Sequence, residues 1–340
     1  MKSTPSGDAS GEPPFVTWLE LGHSREAQGR WADAWSAYGR ALQASPGPRS
    51  QSLAFMNTGN VLQKWASVEP TAELRQTRLD EADAAYEASI SRARLLTPEP
   101  ALLNQLGAAW LNRGHARLLR PDQSAAVACF EQAVALLASL DPSTSGPVAL
   151  NLAGARVNLA HALTATDAVR ARQEAALALA LVAPRERLER VYAEMGLRVR
   201  RVWVMAIGPD GAPDALSRST DLVEEGLELA LHWERRGSRL LRPLAARLFR
   251  LGAQLYRTHQ QQFLAEFVLE HAARGPFAQD REFRAAAEEA LNHALNDLHA
   301  PCHLVLDSPD SLLKWDRARS FRAALRHLQE DRPVCEFSTP

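Results

Sequence analysis

Hydrophobic residues follow helical spacing through the chain; the alternation a strand needs appears only in Leu197–Val204, where helical spacing fits as well. The clearest stretch runs from Phe15 to Pro46. Its spacing predicts two antiparallel helices, with Trp18 and Leu21 on the first and Ala34, Tyr38 and Ala41 on the second. Gly22, Ala34 and Ala41 are small enough for the helices to approach closely, and Trp18 and Tyr38 fill the space beside them. Gly29 lets the chain reverse and Pro46 stops the second helix. Farther on, Pro243 opens a helix whose stripe Leu244, Leu248, Leu251 and Leu255 is predicted buried, opposite a polar stripe of Arg247, Arg250, Gln254 and Arg257. Phe283–His299 and Ser311–Glu330 read as further amphipathic helices. The expectation is an all-α protein.

The helix pair recurs. A good copy opens with Leu103, Leu106, Gly107, Trp110 and Gly114 and closes with Ala126, Phe130, Ala133 and Pro142, its helices separated by an extra loop. Between the two lies a copy with Phe55, Gly59 and Leu62, then Ala82 and Tyr86, interrupted by a segment around Ser67–Arg78. Leu159, Ala160, Leu163 and Pro184 make a degenerate fourth. Tyr192, Met195, Gly196 and Val199, with Leu227 and Ala230, open a fifth, and Leu248, Leu251, Gly252 and Leu255 a sixth. The small residue of each opening falls at 22, 59, 107, 160, 196 and 252, always more than the usual 34 residues apart.

Trp18, Leu21, Gly22, Ala34, Tyr38, Ala41 and Pro46 give this pattern its identity: it resembles the tetratricopeptide repeat. The resemblance spans about Phe15 to Ala273, and is most specific at 15–46 and 101–142. It implies a right-handed α-solenoid of antiparallel helix pairs, with repeats over 15–184, degenerate repeats over 185–274, C-terminal capping helices within 275–340, and a disordered tail at 1–14. It also implies a protein-interaction module whose concave face presents the first helix of every repeat.

On that geometry the groove carries His23 and Glu26, then Asn57, Asn60 and Gln63, then Asn104 and Asn112, then Asn158 and His161. An asparagine carries donor and acceptor together, so a row of them suits the backbone of an extended peptide, although such amides also serve simply as loop caps or water ligands. The two-carboxylate clamp that some tetratricopeptide proteins use on acidic chaperone tails is not reproduced: Leu19, His23, Ala101 and Gln105 stand at its positions and only Asn57 agrees. A basic surface is expected from Arg200, Arg201, Arg247, Arg250 and Arg257, since Arg235–Arg257 holds seven arginines and no acid. Such a surface would select an acidic partner, unless Glu224, Glu225 and Glu228 on the preceding helix neutralise it.

Composition narrows the function classes. The chain has 340 residues, a formal net charge of -1 and 46% hydrophobic residues, the profile of an ordinary globular protein and not of a nucleic-acid-binding domain. Three scattered cysteines suit a reducing compartment, and Met1–Pro14 has no apolar stretch of signal-peptide length, so a cytoplasmic location is expected. The longest apolar run, Ala175–Ala183, is less than half of the roughly 20 residues a membrane span needs. None of the three lysines follows a glycine, which excludes a P-loop, and the zinc-protease, nucleophile-elbow and dinucleotide motifs are absent. Cys129 beside Phe130 reads as a small core residue. Glu289, His293, Asp297, His299, Cys302 and His303 are ligand-type residues, but their spacing matches no recognised zinc site and Pro301 makes the segment a turn.

These observations predict a non-catalytic adaptor or scaffold, without cofactor or metal, that holds a segment of another protein. A regulatory protein responding to a peptide or ligand is the alternative. The enlarged repeats also resemble kinesin-light-chain-type units, which would imply a role on cytoskeletal filaments, but that family's specific residues are not evident.

Overall fold

A computed structural model describes residues 14–120, 124–143, 145–207, 213–258 and position 292. The described residues form eleven α-helices and no strand. The chain divides into two compact units, Met1–Ala162 and Leu163–Pro340. None of the described helices is long and apolar enough to cross a membrane.

The first unit is built from α1 (Phe15–Ala27), α2 (Trp31–Gln43), α3 (Pro48–Ala66), α4 (Ala72–Ala93), α5 (Pro100–Leu118), α6 (Ser124–Ala138) and α7 (Gly146–Leu163), whose last residue crosses the boundary. Prolines stand at the start of α3 and α5, where a missing N–H costs nothing. The Thr71 hydroxyl caps α4 by accepting from the Leu74 N–H. Gly29, at φ +70°, closes α1: the Arg30 N–H reaches Arg25 O and the Gly29 N–H reaches Glu26 O, the paired bonds of a left-handed helix stop. Consecutive helices pack as pairs, α1 on α2, α3 on α4 and α5 on α6, and α3 also touches α1 on one side and α5 on the other, forming a layer of first helices.

The close approach inside each pair rests on a glycine facing a ring. A Cβ on Gly22 would stand 2.3–2.8 Å from the Tyr38 ring, and one on Gly59 2.5–2.8 Å from the Tyr86 ring. In the third pair the expected register shifts. Gly114 faces Phe130, with the same separation in sequence as Gly22 and Tyr38, while Gly107 faces Leu137. The third repeat is therefore lengthened mainly by extra turns at the start of α5, not by its connecting loop alone. The Ser67–Arg78 interruption resolves similarly: only 67–71 lie between the helices, and the remainder is α4. Arg78 secures that added length by stacking 3.8 Å from the Trp65 ring centroid and pairing with Glu69 and Glu81.

The second unit contains α8 (Ala168–Val182), a short 3-10 turn (Ala183–Arg185), α9 (Arg190–Met205), α10 (Pro213–Arg235) and α11 (Arg242–Thr258). α9 is central, packing on α8, α10 and α11. Gly226 receives Leu248 and Gly252 receives Val223, so α10 and α11 interlock in both directions. The predicted leucine stripe of α11 is displaced: Ala245, Ala246, Leu248 and Phe249 are buried, while Leu244, Leu251 and Leu255 are half-buried, because α11 faces two helices. Gly237, at φ +83°, ends α10 with a left-handed stop. Apart from positions 14 and 292, the proposed tail, the amphipathic segments 283–299 and 311–330 and the cluster from Glu289 to His303 lie outside the described residues.

Candidate protein-interaction surface

The layer of first helices in the first unit is joined by a ladder of polar side chains. Between α1 and α3, Lys64 pairs with Glu26, which also accepts a 2.7 Å hydrogen bond from the Tyr38 hydroxyl. Between α3 and α5 there are three rungs. The Gln105 side chain donates to Ser52 Oγ (3.1 Å), Asn112 Nδ2 donates to Asn60 Oδ1 (2.9 Å), and Gln63 meets His115 Nδ1 at 2.6 Å. Between α5 and α7, Asn151 Nδ2 donates to Asn104 Oδ1 (3.0 Å). The three α3–α5 rungs keep a sequence offset of 52 or 53 residues, so the two helices run parallel in one fixed register.

Each tyrosine of the second helices buttresses this layer. The Tyr86 hydroxyl lies 2.9 Å from both Asn60 Oδ1 and Gln63 Oε1. Glu26 stands four residues beyond Gly22 and Gln63 four beyond Gly59, so each tyrosine hydroxyl meets the polar residue one turn past its glycine. The third pair has Phe130 in place of tyrosine, and Leu118 stands four residues beyond Gly114: hydroxyl and polar partner are lost together. Burial pushes the Tyr38 phenol far above its ordinary value, and the hydrogen bond to and repulsion by Glu26 push it further; burial does the same to Tyr86.

Among the expected groove residues, Asn60, Gln63, Asn104 and Asn112 come together in these rungs. Asn57 does not join them. It is 7% exposed, one turn before Val61, which packs on Ala34 and Tyr38, and its Nδ2 is buried with no partner among the described residues. Asn158 is half-buried and His161 exposed on α7. Sequence reasoning missed Asn151, His115 and Ser52 as members of the row. The signal for Asn151 was its position two turns before Asn158 on one helix face.

Behind the row, α4 and α5 are clasped by charge. Asp83 accepts from Arg113 (3.0 Å) and from Arg117 in a two-pronged contact (2.9 and 3.2 Å), and Glu87 also pairs with Arg113. Burial alone would raise the Asp83 pKa, but the hydrogen bonds and charges of Arg117 and Arg113 outweigh it and hold the carboxyl below its ordinary value. Arg117 also reaches Cys129 Sγ at 3.7 Å. The thiol is buried, and desolvation raises its pKa despite that neighbour, as suits a core residue.

The expected basic surface needs correction at Arg200. This residue is 5% exposed, and its guanidinium is held by Glu186 (2.6 and 3.1 Å) and Glu225 (3.2 Å). Gly196 leaves the space that the Glu186 carboxylate fills; a Cβ there would stand 1.6 Å from Oε1. The charge is spent inside the second unit because a buried guanidinium needs carboxylates around it. Glu225 also takes Arg218 and Glu228 pairs with Arg187, while within 235–257 Arg242 pairs with Glu234. Arg201 and Arg247 are exposed and Arg250 half-buried. Arg257 falls in the last turn of α11, its side chain outside the described residues. No metal-binding group of His, Cys, Asp and Glu occurs among the described residues.

No family model and no curated protein matches the sequence. Solved structures do match. The apo form of RapI aligns with 93% of this chain and 99% of its own, at 11% identity and a TM-score of 0.54. The nuclear import adaptor Nro1 of S. pombe aligns over 95% and 98% of the two chains, at 14% identity and a TM-score of 0.38. The P58(IPK) TPR domain aligns over 93% and 97%, at 14% identity and a TM-score of 0.15. The likeness to RapI is one of fold, and it agrees with the glycine-on-ring helix pairs. The chain is all-α, with the stacked helix pairs of a tetratricopeptide-type fold.

Proposed function

We propose that the protein is an adaptor or scaffold without catalysis of its own, and that it binds a segment of another protein along the first-helix layer of its first unit. The observation that carries this reading is the row of amides crossing α3, α5 and α7. Each amide pair spends one donor and one acceptor on its own rung. Asn60 Oδ1 accepts from both Asn112 and the Tyr86 hydroxyl, so the Asn60 and Asn104 amides keep N–H groups, and the Asn112 and Asn151 amides keep C=O groups, for a ligand. Both kinds of group remain whichever way the amides are turned. A soluble helix layer needs polar residues, but it does not need them as paired amides in register on consecutive helices.

The test is capture of partners from the protein's own cells, comparing wild type with an Asn104→Ala, Asn112→Ala variant. Both substitutions spare the Tyr86 contacts. Circular dichroism and a thermal melt check that the variant folds. Loss of a captured protein by the variant alone supports the reading. Capture that is unchanged by the variant and abolished by Arg247→Ala would move the binding site to the second unit.

A further inference from the structure

Resting on that reading, we infer that the segment bound by the amide row is an uncharged, internal stretch of extended chain, read through its backbone, and not an acidic tail or a chain terminus. The rungs contain only two formal charges, Glu26 and Lys64, and these pair with each other. Glu26 is spent further on the Tyr38 hydroxyl. Every rung between α3 and α5, and the one between α5 and α7, is built from amide, hydroxyl or imidazole groups, with no carboxylate, ammonium or guanidinium among them.

A carboxylate brought to this row would lose water and receive only neutral donors in return. Such groups are seldom buried without a cation or several charge-assisted bonds. The two arginines of α5 nearest to the row do not supply that cation. Arg113 and Arg117 are 11% and 22% exposed and turn back onto Asp83 of α4. The amides of Asn60, Asn112, Asn104 and Asn151 instead offer N–H and C=O in alternation, the complement of a peptide backbone.

Spacing sets the contact period. Packed helices stand about 8–10 Å apart, and extended chain advances about 3.3 Å per residue. Adjacent first helices therefore meet the ligand backbone at about every third residue, and the three intervals across the four first helices correspond to about nine residues, within the length of a segment of about twelve. Side chains of the ligand between those contacts carry no requirement for charge.

The experiment uses the full chain, immobilised, and two displayed libraries of random segments about twelve residues long. One library is flanked by linker at both ends and the other ends in a free carboxylate. Selection is run at about 0.1 M and about 1 M salt, across which the screening length falls from about 10 to about 3 Å. The inference expects enrichment from the flanked library, net charge near zero in the enriched set, less than about twofold change in affinity between the salts, and loss on the Asn104→Ala, Asn112→Ala variant. Enrichment of acidic or carboxyl-terminal segments that depends on the same amides and fails at high salt would overturn the inference while leaving the binding surface in place. Enrichment in neither library, or enrichment indifferent to the amides, would overturn both.

Discussion

At the scale of single residues, the tyrosine hydroxyls are the parts whose removal is most informative. Tyr86→Phe deletes the group that Asn60 and Gln63 share. It is expected to lower stability by about 0.5–1.5 kcal/mol in urea unfolding, the net worth of one internal hydrogen bond. The reverse change, Phe130→Tyr, adds a buried hydroxyl where the register offers Leu118, and should cost about 1–3 kcal/mol. A Phe130→Tyr protein as stable as the wild type would mean that the correspondence between hydroxyl and polar partner is accidental. A second residue-level prediction concerns Asp83. Its native pKa lies below the ordinary 3.8, so the stability it contributes is complete above that value and is lost as pH falls through the lower native one. Asp83→Asn should flatten the acid limb of a stability–pH curve below about pH 4 and leave the neutral-to-alkaline region unchanged in shape.

At the scale of helices, what decides the fold is how closely two of them can approach. Gly22→Ala puts a methyl group 2.3–2.8 Å from the Tyr38 ring and should destabilise by about 1–3 kcal/mol through overpacking. Gly39→Ala, on the same helix pair, meets nothing within 4 Å and should stabilise by up to about 1 kcal/mol through helix propensity. Thermal melts of the two variants should therefore move in opposite directions. This is also the level at which the sequence was most legible. Trp18, Gly22, Tyr38 and Pro46 are local, and local patterns record helix pairs well. The third pair was misregistered because Gly107 and Gly114 both looked like openings, and only packing tells which glycine receives the ring. The ladder was legible only as a list of amides. Its partners are 38 to 53 residues apart, and those offsets depend on helix lengths and loops that periodicity does not fix. Arg200 was misassigned for the same reason: nothing beside it in the sequence announces that Glu186 and Glu225 converge on it.

At the scale of the whole molecule, the division after Ala162 predicts two cooperative transitions in calorimetry. Gly22→Ala should shift one of them. Arg200→Ala, which strands the buried Glu186 carboxylate, should weaken only the other, by about 3–5 kcal/mol. A single transition moved by both substitutions would show that the units unfold as one. Repeat arrays also carry a hazard of their own, since similar units pair with the wrong neighbour during folding or between chains. Here the ladder answers that hazard. The α1–α3 contact is an ion pair at an offset of 38 residues, the α3–α5 contacts combine hydroxyl, amide and imidazole at 52 or 53, and the α5–α7 contact is amide on amide at 47. Among the described helices an asparagine pair recurs in two of these contacts but at different offsets, 52 and 47, so each repeat bears in effect an address written in its own set of groups and spacings.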